Sequence, residues 1–130
     1  ELKKRRDLSL SLPDHYLGMD TTRDDFDEKT KEILSRRVGL RCSNPNCRKL
    51  TNGPQTDPTK AVNIGFAAHI TAAPQNGPRF DAAMTPEERK SAENGIWLCQ
   101  NCAKLIDNDE RRYSKDLLIE WNDVSCYPIN

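Results

Sequence analysis

The stretch Asn94-Gly95-Ile96-Trp97-Leu98-Cys99-Gln100-Asn101-Cys102-Ala103-Lys104-Leu105-Ile106-Asp107 decides the fold. Asn-Gly is a strong turn dipeptide, so it delivers the chain into a brief apolar strand, Ile96-Trp97-Leu98. The run from Gln100 to Asp107 then reads as a helix. Between strand and helix sits Cys99-x2-Cys102, a spacing that lets two thiolates clip one tight turn.

Working outward, the partner of that pair is Cys42-x4-Cys47. Two short-spaced pairs separated by a long insertion can donate four thiolates to one tetrahedral zinc ion. Disulfides compete with this reading, but nothing marks the chain as secreted. A redox pair would explain Cys99 and Cys102 alone. Zinc explains four cysteines, and it supplies a staple that the composition calls for, since only 35% of the residues are hydrophobic. Cys126 is left over as a free thiol with no role that can be argued.

The rest of the chain divides by its punctuation. Residues 1–20 lack periodicity and carry the basic run Lys3-Lys4-Arg5-Arg6; a terminal arm, a short packing strand and disorder are all compatible with them. Thr22 followed by Asp25 has the spacing of a helix cap, which predicts a helix from about Arg23 to Arg37 ending near Gly39, with Phe26, Ile33, Leu34 and Val38 on one face. Residues 42–59 are dense in Asn, Pro, Gly and Thr and are expected to be loop. Residues 60–70 hold Val62, Ile64, Phe66 and Ile70, an extended run that predicts a strand pair or bent hairpin about Gly65, with His69 at a strand end. Thr85-Pro86-Glu87-Glu88 is a capping box opening a helix over about 86–93. Ser114 caps a last helix whose Leu117, Leu118 and Trp121 share a face.

Composition bounds the class. The 130 residues fit one domain, 31% are charged, and the net charge is zero, which argues against a generally basic nucleic-acid binder. Charge is uneven, however: between Lys31 and Lys60 seven Lys/Arg face only Glu32 and Asp57, a local +5 that could meet a phosphate backbone or form a solvated face. No apolar run approaches bilayer length, and no charged-then-apolar leader opens the sequence. The expectation is a soluble, cytoplasmic protein with no membrane partner. The opening at Glu1 without a methionine and the stop after Cys126-Tyr127-Pro128 suggest an excised piece. The expected organisation is an N-terminal arm (1–20), a zinc-stapled domain (21–125) and a tail (126–130) leading to an absent C-terminal part.

Several motifs in order carry a family resemblance: Ala67-Ala68-His69-Ile70, Gly77-Pro78-Arg79, Asn94 through Cys99, and Cys102 through Asp107. Together they resemble the HNH, or ββα-metal, endonucleases, and among them the zinc-bearing nuclease domains of prokaryotic anti-phage defence effectors. The resemblance spans roughly residues 42–121. It implies an α+β fold with a small ββα-metal core, a structural zinc and flanking helices. It implies that His69 is the general base, that Asn94 is the middle asparagine that steadies it, and that the helix after Cys102 supplies ligands to a catalytic divalent cation, Mg²⁺ or Mn²⁺. Positions 103 and 107 are one turn apart, so they project from one helical face. Asp107 matches a ligand, but Ala103 stands where this subgroup has a histidine, and Ala68 stands beside the base where other members carry a ligand. The resemblance therefore implies cleavage of double-stranded DNA by the family and impairment of it in this sequence. Arg79 could clamp the substrate phosphate, although an arginine beside a turn is also commonly solvated. The implied partners are double-stranded DNA and a sensor domain in the same parent chain, with a homo-oligomer also open.

Two other readings stand beside this one. A non-catalytic zinc module could bind nucleic acid or protein through the basic segment around Arg36 to Lys49, and Ala68 and Ala103 favour it. An inert assembly domain could dimerise a parent protein through the Phe26/Ile33/Leu34 helix. His15, in Pro13-Asp14-His15-Tyr16, has no partner motif and is expected at the surface.

Overall fold

In the computed structural model of the chain, residues 24–129 are described. The expected arm over 1–20, the Thr22 cap and His15 lie outside them. The described elements are α1 (Glu28–Arg37), β1 (Asn52–Pro54), β2 (Ala61–Asn63), β3 (Gly65–His69), α2 (Pro86–Arg89), a 3-10 turn (Ala92–Asn94), β4 (Gly95–Cys99), α3 (Gln100–Asn108) and α4 (Lys115–Ser125). This is the expected α+β class. No helix among the described residues is long and apolar enough to cross a membrane.

Helix α1 begins later than the sequence spacing predicts. Asp27, not Thr22, is its cap: the carboxylate accepts the Thr30 N–H at 2.7 Å. At the other end Gly39 takes the left-handed conformation, with φ 67°. Leu40 N–H donates to Ser35 O and Gly39 N–H to Arg36 O, the paired bonds of a Schellman stop. Phe26, Leu34 and Val38 are buried against Trp97, whereas Ile33 is 41% exposed. The apolar face expected on this helix is therefore spent inside the molecule, leaving Ile33 alone of the residues proposed for dimerisation.

Residues 60–70 do not fold back on themselves as a hairpin. β2 pairs with β1 and β3 pairs with β4, both antiparallel, giving two separate two-stranded sheets. The reason lies around Gly65. The Asn63 side chain accepts the Gly65 N–H, and Ile64 N–H donates to Thr51 O, so the chain passes on extended rather than turning. A Cβ at Gly65 would lie 2.2 Å from the Trp97 ring, so only glycine lets the strand run under that indole. The Trp97 Nε1–H in turn donates to Thr51 Oγ1 at 2.9 Å, locking sheet to sheet.

The β3–β4 ribbon is the centre of the domain, with register from Gly65↔Cys99 to His69↔Gly95. Alternation gives it two faces. Ala68, Ile70, Ile96 and Leu98 enter the main core with Ile106 of α3 and Leu118 and Trp121 of α4. Ala67 and Trp97 face the smaller cluster of α1. Helix α3 follows β4 directly, as the run from Gln100 predicts, and α4 is capped by Ser114 accepting the Leu117 N–H. The Thr85–Glu88 capping box is present, with Pro86 in the first turn. Its helix stops at Arg89 rather than near residue 93, because Ser91 caps Glu88 O and Asn94 takes Arg89 O, closing the chain into the 3-10 turn.

Candidate metal centre and the histidine end of the ribbon

The first cysteine pair is held by its own loop. An Arg41↔Leu50 bridge closes the base, and Cys42 N–H donates to Lys49 O at 2.8 Å. Cys47 N–H and Arg48 N–H both donate to Asn44 O, and Asn44 Oδ1 accepts the Asn46 N–H. The second pair is made by the start of α3: Cys99 is its cap, its sulfur accepting the Cys102 N–H at 3.4 Å. Two bonds join the pairs through other elements. Ser43 N–H donates to Trp97 O in β4, and Ser125 Oγ of α4 donates to Ser43 O.

As a result the four sulfurs of Cys42, Cys47, Cys99 and Cys102 lie within 4.8 Å of one another, and Cys47 and Cys99 are 3.9 Å apart. Tetrahedral zinc with Zn–S of ~2.3 Å needs sulfurs ~3.8 Å apart, whereas a disulfide needs ~2.05 Å. The cysteines are free, and the donor set fits zinc. Burial raises the Cys42 and Cys102 thiols above their ordinary range; at Cys102 a hydrogen bond from Asn44 Nδ2 partly opposes it. At Cys99 burial also pushes upward, but hydrogen bonds led by the Cys102 N–H outweigh it and lower the thiol. Sulfurs so crowded become four thiolates only with a cation among them, which is the chemistry zinc supplies when bound. Asn44 is a member of this site that the cysteine spacing did not reveal, although its position between Cys42 and Cys47 was a usable signal.

His69 closes β3 at the far end of the ribbon from Cys99. Its Nε2 lies 2.9 Å from Asp24 O, and its ring stacks on Phe26 with centroids 4.1 Å apart and planes 13° apart. A carbonyl oxygen can only accept, so Nε2 carries a proton, and in the neutral ring Nδ1 holds the lone pair. Among the described residues Nδ1 has no hydrogen-bond partner. Asn94 makes no hydrogen bond to the ring. It bonds both the N–H and the C=O of Thr71 and takes Arg89 O, so it fixes the backbone just after His69.

The remaining site residues are placed differently from the expectation. Arg79 is no exposed phosphate clamp. With its side chain 6% exposed, it donates to Ile70 O (2.6 Å), Ile106 O (2.9 Å) and Tyr113 O (3.2 Å), and Nη2 reaches Asp107 Oδ1 at 3.2 Å. The physical reason is burial: three inward carbonyls need donors, and the guanidinium fork supplies them. Asp107 is half-exposed and has Arg79 as its neighbour. Ala68 and Ala103 are both buried in the main core, on the ribbon face opposite the one His69 shares with Phe26. Among the described residues the four cysteines are the one group of three or more side chains that could hold a metal. With alanine at 68 and 103, Asp107 alone remains of the expected ligands, so the residues present do not hold a catalytic Mg²⁺ or Mn²⁺. The basic segment is also partly committed: Arg48 donates to Cys42 O and Val38 O, Lys31 pairs with Glu28 and Arg36 with Glu32.

No protein-family model matches the chain, and a search among curated proteins finds no match.

Proposed function

We propose that the chain is a zinc-stapled endonuclease domain of the HNH, or ββα-metal, type, acting on double-stranded DNA and impaired in its present sequence at Ala103. The observation that carries the reading is an antiparallel ribbon that ends in a histidine with Nε2–H tied and Nδ1 free among the described residues, and whose second strand runs into a helix started by two zinc-type cysteines. In the reaction, His69 Nδ1 takes a proton from water as the water oxygen bonds to phosphorus and the 3′ oxygen leaves with a proton from solvent. In this family a divalent ion supplies charge neutralisation at the phosphate. On the same resemblance the domain is the effector part of a bacterial defence protein governed by a sensor domain.

The test is gain of function. Ala103→His, verified to hold zinc and native helicity, is expected to nick supercoiled plasmid in Mg²⁺ or Mn²⁺, and His69→Ala in that background to abolish nicking with zinc content unchanged. A zinc-loaded Ala103→His chain that never nicks overturns the reading. The second reading, a non-catalytic zinc module, then replaces it; the burial of Ala68 and Ala103 and the Arg79 contact to Asp107 favour that alternative.

A further inference from the structure

His69 is held by a segment that belongs to neither strand of its ribbon. Asp24 and Phe26 precede α1 in the chain, yet Asp24 O takes the Nε2–H and Phe26 covers one ring face. That segment is itself gripped from elsewhere. The Arg89 guanidinium lies 3.6 Å from the Asp24 carboxylate, with the two side chains only 12% and 17% exposed. Arg89 also stacks over Phe80 and donates to Asp81 O. Its backbone is fixed as well, because Asn94 Nδ2 donates to Arg89 O at 2.8 Å. A continuous path thus runs from Asn94 through Arg89 and Asp24 to the imidazole.

Resting on the assignment of His69 as base, we infer that Arg89 is a positioning residue: by clamping Asp24 it holds the His69 Nε2–H on a backbone carbonyl and so presents Nδ1 as the proton-accepting atom. The physical case is one of degeneracy. A neutral imidazole can carry its proton on either nitrogen and can rotate about its side-chain bonds, so a base built on one needs a fixed acceptor for the other nitrogen. A carbonyl serves, because it cannot donate and so admits a single tautomer. A carbonyl in a chain segment just ahead of a helix serves only if that segment is pinned. The stacked Phe26 pins it through the core, where Phe26 is 4% exposed, and the Asp24–Arg89 pair pins it from the other side in a setting dry enough to matter.

The test is read on the chain as it stands by nitrogen-15 NMR of the imidazoles. His69 is told from His15, the other histidine, by the spectrum of His15→Gln. Above the titration range the His69 signals should show the Nε2–H tautomer, with that proton protected from solvent exchange. Arg89→Ala should speed its exchange by roughly fivefold, the factor lost with one hydrogen bond of ordinary net strength. Arg89→Lys should restore protection, which a merely structural role would not predict. If Arg89→Ala fails to fold, Asp24→Ala, which removes the ion pair from the other side, should give the same acceleration. An Nδ1–H tautomer, or exchange unchanged in the folded variants, overturns the inference. Because no cleavage is measured, failure here and failure of Ala103→His to nick DNA are separate results.

Discussion

A zinc ion held by the four cysteines would dominate the stability of this domain, and its removal should unfold the chain. Apart from the sulfurs, the loop carrying Cys42 and Cys47 is tied to the second half of the chain chiefly by Ser43 N–H to Trp97 O and Ser125 Oγ to Ser43 O. At ~1 kcal/mol net for each bond, these contribute ~2 kcal/mol. A structural four-thiolate zinc is worth on the order of 10 kcal/mol at neutral pH, comparable with the whole stability of a domain of this size, ~5–15 kcal/mol. Nor does the apolar core compensate, since Cys42, Cys99 and Cys102 are members of the main cluster and their separation opens it. The expected experiment is chelation followed by elemental analysis and near-ultraviolet circular dichroism. Tertiary signal should vanish as zinc leaves and return at one equivalent added back under reducing conditions, and cobalt substitution should give the spectrum of a tetrahedral thiolate site. A chain verified to be zinc-free that still melts cooperatively within a few degrees of the loaded form would refute the reasoning.

Two further substitutions probe the parts that position the ribbon. Gly65→Ala must displace the Trp97 indole and its bond to Thr51, which should cost ~2–4 kcal/mol in urea unfolding followed by tryptophan fluorescence. Gly53→Ala, where an added Cβ meets nothing within 4 Å, should stay within ~0.5 kcal/mol and serves as the control. Arg79→Ala leaves the carbonyls of Ile70, Ile106 and Tyr113 without their donor and should cost ~3–5 kcal/mol, with Arg79→Lys recovering less than half because an ammonium cannot span them. Weaker DNA binding by Arg79→Ala at unchanged stability would instead restore the phosphate-clamp role.

What the sequence by itself determined is much of what closes within a few residues, though the Asp27 cap of α1 and the early stop of α2 escaped it. The capping box at Thr85–Glu88, the Ser114 cap, the stop at Gly39 and the helix launched by Cys99-x2-Cys102 are local, so their chemistry is written in adjacent letters. The α+β class and the meeting of two cysteine pairs were legible because each pair's spacing is its own signal. Only the tertiary structure decided the rest. Whether residues 60–70 fold on themselves or split between two sheets depends on Trp97, some thirty residues away, needing room that Gly65 alone leaves. Arg79 looked like a surface cation because its turn is polar; it is buried because carbonyls from three separate segments converge on it. The same limit applies at His69. Its place at a strand end could be read from its neighbours, but its partners Asp24 and Phe26 lie more than forty residues upstream, and no periodicity carries a contact over that distance.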